Sequence, residues 1–328
     1  MTSTRQDAAI SLSVLERPTR KRRMLVIVNP FATTVSARLR NLVVHALESR
    51  YDVTAVDTEA QGHATAICRD AAAEGYDVVC AFGGDGTVNE AANGLAGTST
   101  PLAVLPGGSA NVFCRSLGVP GDVVDATEHL LRLADTLPVR TVDLGQANGR
   151  YFVFTAGVGL DAEVTERVDA HPRWKARFGP WYYATVAVDL FTRRYLLGRP
   201  PRMRIALADG RQQEAITCIA QNSDPYTFFA RRPVRVCADA ALDSGTLAFA
   251  ALDRIGPLEV PSLAARLLTG SARAVSRHRR ITDLGAATCA VVESLDGRPL
   301  PLQVDGDYLG RCERVELRAQ PAALRCVA

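Results

Sequence analysis

Val78-Val79-Cys80-Ala81-Phe82-Gly83-Gly84-Asp85-Gly86-Thr87-Val88-Asn89-Glu90 joins an unbroken apolar run to a glycine cluster. The apolar run suits a strand covered on both faces, as in the middle of a parallel sheet. Glycines beyond it let backbone N–H groups approach a ligand closely, and a helix beginning at Thr87 adds the positive end of its dipole. Ligands of open parallel sheets bind past the carboxyl ends of the strands. The stretch therefore predicts a strand, an anion-binding turn and a helix in succession.

The same unit recurs on either side. Residues 24–28 form a second buried-strand pattern that ends in Asn29-Pro30-Phe31-Ala32-Thr33. Residues 35–47 carry apolar side chains at helical spacing, 51–56 read as a strand and 64–73 as a helix. Residues 101–105 run into Pro106-Gly107-Gly108-Ser109-Ala110-Asn111. This alternation implies right-handed crossovers and a parallel sheet with three loops at one edge. Past residue 137 the rhythm changes to strands at 139–146, 151–156, 203–208, 215–220, 247–252, 288–293 and 315–318, with hairpin turns at Asn148-Gly149 and Asp209-Gly210. Two helical stretches, 182–195 and 258–268, interrupt them. The expected fold is α/β: a basic tail over 1–23, a parallel-sheet nucleotide-binding domain over 24–137, and a β-rich, antiparallel, sandwich-like domain over 138–328.

Composition narrows the function. The 328 residues are 47% hydrophobic and 22% charged, and 38 Lys+Arg against 35 Asp+Glu leave +3, too little to indicate a nucleic-acid binder. Lys21 and Lys175 are the only lysines and neither follows glycine, which excludes a Walker-type phosphate loop. Eight dispersed cysteines without a C-x-x-C argue against zinc and disulfide frameworks. No apolar run reaches the length of a transmembrane helix, so the expected location is cytoplasmic. The basic run Arg17, Arg20, Lys21, Arg22 and Arg23 reads as a solvated tail. Trp174, Phe178, Trp181, Tyr182 and Tyr183 cluster near Arg173, Lys175 and Arg177. They read first as core and second as a bilayer-facing surface. Arg231, Arg232, Arg235 and the group around His278 read as solvated surface, and His63 and His171 as structural. Nothing in the sequence decides for or against a homodimer.

A phosphate cradle without lysine is chemically sensible. Asp85 can hold Mg²⁺ bridged to phosphate oxygens, and the Thr87 and Ser109 hydroxyls can donate to the same oxygens. A tight turn with Thr87 as a helix cap would explain an isolated glycine cluster equally well. Repetition on three strand ends favours the nucleotide.

The string Gly83-Gly84-Asp85-Gly86-Thr87-Val88-Asn89-Glu90 resembles the nucleotide-binding signature of the diacylglycerol kinase catalytic-domain family, which includes bacterial lipid kinases, sphingosine kinases and ceramide kinases. Asn29-Pro30, Thr58 with Gly62-His63-Ala64, Gly108-Ser109-Ala110-Asn111-Val112-Phe113, Gly157-Val158-Gly159-Leu160-Asp161-Ala162 and Asp305-Gly306-Asp307 are similar to further family motifs in the same order. The resemblance implies Mg²⁺-dependent phosphoryl transfer from ATP to a hydroxyl of diacylglycerol or a related lipid, at a membrane surface. It implies a nucleotide site from Asn29, Pro30, Thr33, Thr58, Gly83, Gly84, Asp85, Gly86, Thr87, Asn89, Gly108, Ser109 and Asn111, with Asp85 also as metal ligand. Asp307 stands where the family usually has a glutamate base. Aspartate is shorter by about 1.5 Å. Ser244 replaces an aspartate that often serves an auxiliary metal site, and Asp243 is expected to cap a turn instead. Two alternatives remain at this level: a kinase of NAD, and a catalytically weakened binder of lipid or nucleotide.

Overall fold

The computed structural model describes residues 20–229 and 232–328. Arg17, the rest of the tail through residue 19, and Arg231 lie outside the described residues. Arg22 and Arg23 are strand rather than tail. The Arg23 amide donates to Asp77 Oδ2 at 2.8 Å, and its guanidinium lies 4.2 Å from the centre of the Tyr76 ring.

The chain runs β1 (Arg22–Val28), α1 (Ala37–Glu48), β2 (Tyr51–Asp57), α2 (His63–Ala73), β3 (Val78–Gly83), α3 (Asp85–Leu95), β4 (Leu102–Pro106), α4 (Val112–Ser116) and α5 (Val123–Arg132). It continues through β5 (Val139–Ala147), β6 (Arg150–Phe152), β7 (Thr155–Gly159), α6 (Leu160–Asp169), α7 (Pro172–Phe178) and α8 (Pro180–Leu190), which ends in a π-helical turn, Phe191–Leu196. β8 (Met203–Leu207), β9 (Gln212–Ala215), β10 (Thr217–Gln221), β11 (Thr227–Phe229), β12 (Arg232–Val234), β13 (Leu247–Leu252), α9 (Val260–Leu268) and α10 (Ala272–Ser276) follow. The chain closes with β14 (Ile281–Ala287), β15 (Cys289–Ser294), β16 (Leu300–Val304), β17 (Asp307–Cys312) and β18 (Arg314–Val327).

β2, β1, β3 and β4 lie in that order and are mutually parallel. β3 and β4 are buried along their whole length, which is why their sequences do not alternate. β2 at the edge alternates, with Asp52 and Thr54 turned to solvent. Because β3 returns on the other side of β1 from β2, the winding reverses between β1 and β3. That reversal opens a crevice at the ends of these two strands.

The division expected at 137/138 separates stretches of sequence but not sheets. β18 pairs with β4, β5 and β15, so one ten-stranded sheet runs through both halves. Leu324, Cys326 and Val327 join the core of the parallel half. Only 315–318 of β18 reads as strand in the sequence, because Pro321 interrupts it. In the fold Pro321 lies in a register shift between Gln320 and Leu324, next to Ala322 at φ 53°, which lets the strand change partners. Facing the β15–β8–β9 end is an antiparallel sheet, β14–β13–β10–β7–β16–β17. Ile205, Val292 and Leu317 pack with Val158, Phe249 and Leu302 between the two.

The aromatic cluster divides: Tyr182 and Tyr183 pack half-buried against Val164, Val168 and Val186, whereas the other three depart from the expected core position. Trp174, Phe178 and Trp181 are exposed on α7 and α8, with Trp174 stacked on Phe178 at 5.6 Å. No described helix is long and apolar enough to cross a membrane.

Candidate active site

Three loops meet at the crevice. Asn29, just past β1, donates from Nδ2 to Thr87 Oγ1 at 3.0 Å, and its Oδ1 accepts from the Phe31 amide at 2.9 Å. The first loop also reaches the third: the Thr34 amide donates to Gly107 O at 3.2 Å. The second and third loops touch backbone to backbone. Gly107 N–H donates to Gly83 O at 2.8 Å, and a Cβ placed on Gly108 would stand 2.8 Å from Gly84 Cα. A Cβ on Gly83 would meet Thr87 Oγ1 at 2.5 Å. These glycines are thus required by the packing of the loops, whatever else they approach.

That contact gives a prediction. Gly108→Ala must push the second and third loops apart, costing about 1–3 kcal/mol. We expect a lower melting temperature, while Ser109→Ala, at an exposed position, changes the melting temperature little.

α3 begins at Asp85 with Gly84 as N-cap, two residues before the expected start, so Thr87 is not its cap. Thr87 is buried inside the first turn and holds Asn29. The Asp85 carboxyl turns toward the first amides of α4, with Phe113 N–H at 3.4 Å from Oδ1. Burial pushes the Asp85 pKa up to about 7, and the nearby Asp305 adds to the rise against the pull of those amides. A carboxyl so poorly solvated gains from a cation beside it. Mg²⁺ needs one or two carboxylates plus phosphate oxygens rather than a protein cage. Among the described residues no group of three or more His, Cys, Asp or Glu forms such a cage.

Asn111 takes the left-handed conformation (φ 47°) and closes the third loop, accepting from Gly108 N–H at 2.9 Å and donating to Gly108 O at 2.8 Å. Pro30, Thr33 and Ser109 are exposed at the rim. Thr58 is buried and tied by its amide to Val28 O. Asn89 is fully buried on α3, four residues after Asp85. It donates to Tyr151 O and Asp305 Oδ2 and accepts from Arg150, so its side chain ties α3 to the seam between the halves.

The two aspartates of Asp305-Gly306-Asp307 have opposite roles. Asp305 is buried at φ 48° and accepts from Val153, Phe154 and Thr155 amides at 2.7, 3.0 and 3.0 Å as well as from Asn89. Those amides leave the ladder to reach it, which is why the strand expected over 151–156 is broken into β6 and β7. Burial raises the Asp305 pKa to about 6 despite these donors. Asp307, at the start of β17, instead stands over the first turn of α3. A Cβ on Gly86 would lie 3.7 Å from its Oδ1. Burial raises its pKa above the ordinary value, Lys175 and Arg150 pull it down, and Asp169 and Glu90 push it up.

Sequence reasoning missed several of these neighbours. Lys175, bound to Asp169 at 2.7 Å, approaches from α7; its only advance signal was the rarity of lysine in the chain. Glu90 accepts from Gly62 and Ala64 amides, capping α2. Asp161, in the glycine-rich turn, is held by Tyr226 and Gln303. Asp243 does not cap its turn: it pairs with Arg140 at 2.9 Å, and Ser244 Oγ makes the turn contacts.

Comparison with known proteins places this arrangement. Residues 23–147 match the family model of the diacylglycerol kinase catalytic domain. The diacylglycerol kinase of Bacillus subtilis (strain 168) is 35% identical over 148 residues, 44% of this chain and 46% of that protein, so this match spans under half of the relative. The diacylglycerol kinase of Staphylococcus aureus (strain JH9) is 27% identical over 298 residues, 89% of this chain and 88% of that protein. The fold is shared with solved structures from Bacillus anthracis str. Sterne. One has a TM-score of 0.74 at 24% identity, covering 95% of this chain and 97% of the other. A second, a diacylglycerol kinase, has a TM-score of 0.65 at 20% identity, covering 94% and 97%. Over residues 23–147, the chain is thus similar to the diacylglycerol kinase catalytic domain, and its fold over nearly the whole length is shared with these solved structures.

Proposed function

We propose that the protein is a lipid kinase that transfers the terminal phosphate of ATP to a hydroxyl of diacylglycerol or a related long-chain lipid alcohol at a membrane surface. The observation that carries the reading is the Asp307 carboxylate from the C-terminal half, poised over Gly86 at the mouth of the glycine loops. An alcohol acceptor needs a base near the phosphate it attacks. Asp307 is that base in this reading. The loops at Asn29, Gly83–Thr87 and Gly108–Asn111 hold the triphosphate through main-chain amides and the first turn of α3. Asp85 holds Mg²⁺, which neutralises phosphate oxygens when bound.

The test is transfer from labelled ATP in mixed micelles carrying diacylglycerol, sphingosine or a glycolipid, with NAD as a soluble control. Labelled lipid with at least one acceptor is expected. Label that follows NAD, or no lipid-dependent transfer by protein that binds ATP, would overturn the reading.

A further inference from the structure

Outside the crevice, α8 and the π-helical turn that ends it carry two adjoining hollows. The first, about 410 Å³, is lined by Arg167, Asp189, Arg193, Arg194, Arg199 and Arg298. Five arginines thus face one carboxylate. Arg194 is committed to the buried Glu163 at 3.0 Å, and Arg298 to Asp296 and the Arg199 and Pro200 carbonyls. Arg193 pairs with Asp189 at 2.6 Å, whereas Arg167 reaches it only at 4.0 Å. Arg199 is exposed, and the ion pairs around the hollow, among the described residues, take up Arg167, Arg193, Arg194 and Arg298 and leave it out. The hollow therefore keeps uncompensated guanidinium groups, whose planar forks match phosphate oxygens.

The second hollow, about 610 Å³, shares Asp189 and Arg193 with the first. Its other walls are Trp181, Ala184, Thr185, Val188 and Thr192, which recur at helical spacing on one face of α8 and the following turn. Trp181 is 66% exposed and Val188 67%, and Leu197, just past the turn, is 74% exposed. Trp181 stands edge-on to Phe229 at 5.0 Å, which fixes the indole at the surface. An apolar stripe led by tryptophan and bordered by arginines has the make-up of a surface that meets a bilayer, with the ring at headgroup depth and the cations on phosphates.

We propose that this face of α8 and the arginine-lined hollow beside it dock on a bilayer of anionic lipid, with a lipid phosphate seated among Arg167, Arg193 and Arg199. The site is distinct from the crevice, so binding is expected in the absence of nucleotide and whether or not the protein is a kinase.

Vesicle flotation of the full chain tests this. Phosphatidylcholine vesicles doped with phosphatidylglycerol are expected to carry the protein, pure phosphatidylcholine vesicles to leave it behind, and added salt to weaken the binding. R167Q/R193Q/R199Q should lower affinity on the order of 100-fold, at about five-fold for each cation removed. W181S/V188S should also weaken binding. Asp189→Asn, which removes the only carboxylate lining either hollow, should tighten it several-fold, a gain that misfolding cannot imitate. Equal binding to both vesicle types, or wild-type binding by the triple-arginine variant, would overturn the proposal. So would saturation of the site by soluble glycerol phosphate without a vesicle.

Discussion

Asp307→Asn is expected to reduce phosphate transfer on the order of 100- to 10,000-fold, the range over which a positioned base accelerates a reaction. ATP affinity, measured by calorimetry, should change little, because the Asn side chain keeps the size and place of the carboxylate. Asp307→Glu restores the family's residue with one more methylene and is expected to remain within about 100-fold of wild type, the cost of a displacement of about 1 Å. Unchanged transfer by the Asn variant would remove Asp307 from the chemistry, and no transfer by wild type, Asn or Glu forms would favour a binding-only protein. The pH profile adds an independent readout. Burial raises the Asp307 pKa, and the base acts only when deprotonated, so the acid-side fall of the rate should be shifted upward from where an ordinary aspartate would put it. Lys175 pulls the other way. Lys175→Met should therefore move the acid limb to still higher pH, a shift that a purely structural role for Lys175 would not produce.

The second large effect is on stability. Asp305→Ala leaves the Val153, Phe154 and Thr155 amides and the Asn89 side chain without their acceptor inside the seam. With about 1–3 kcal/mol for each buried donor left unpaired, and incomplete additivity among neighbours, a loss of about 4 kcal/mol is expected. The measurement is denaturant unfolding, with the midpoint lowered and the slope unchanged. Transfer should fall as well, because Asp307 hangs from the same turn. A variant as stable as wild type would mean that the seam does not depend on this carboxylate.

The two aspartates also mark how far the sequence is legible. Asp305-Gly306-Asp307 is symmetrical on paper, and only the resemblance to a family singles out Asp307. The fold separates them physically: the left-handed backbone at Asp305 and Gly306 turns one carboxylate into the seam and the other over α3. Asn89 is likewise indistinguishable from its loop neighbours in sequence, yet one turn into α3 its side chain is taken up by Tyr151, Asp305 and Arg150 from the other half.

Sequence by itself determined the parallel half and its three loops, because a strand buried on both faces must be continuously apolar, and loops that touch backbone to backbone must be glycine. These are local requirements, written in consecutive residues. The tertiary structure alone decided that β18 crosses from one half to the other, that Lys175 stands near Asp307, and that Trp174, Phe178 and Trp181 are exposed while Tyr182 and Tyr183 pack inward. Each of these depends on contacts between residues distant in the chain, and no local period or spacing records such a contact.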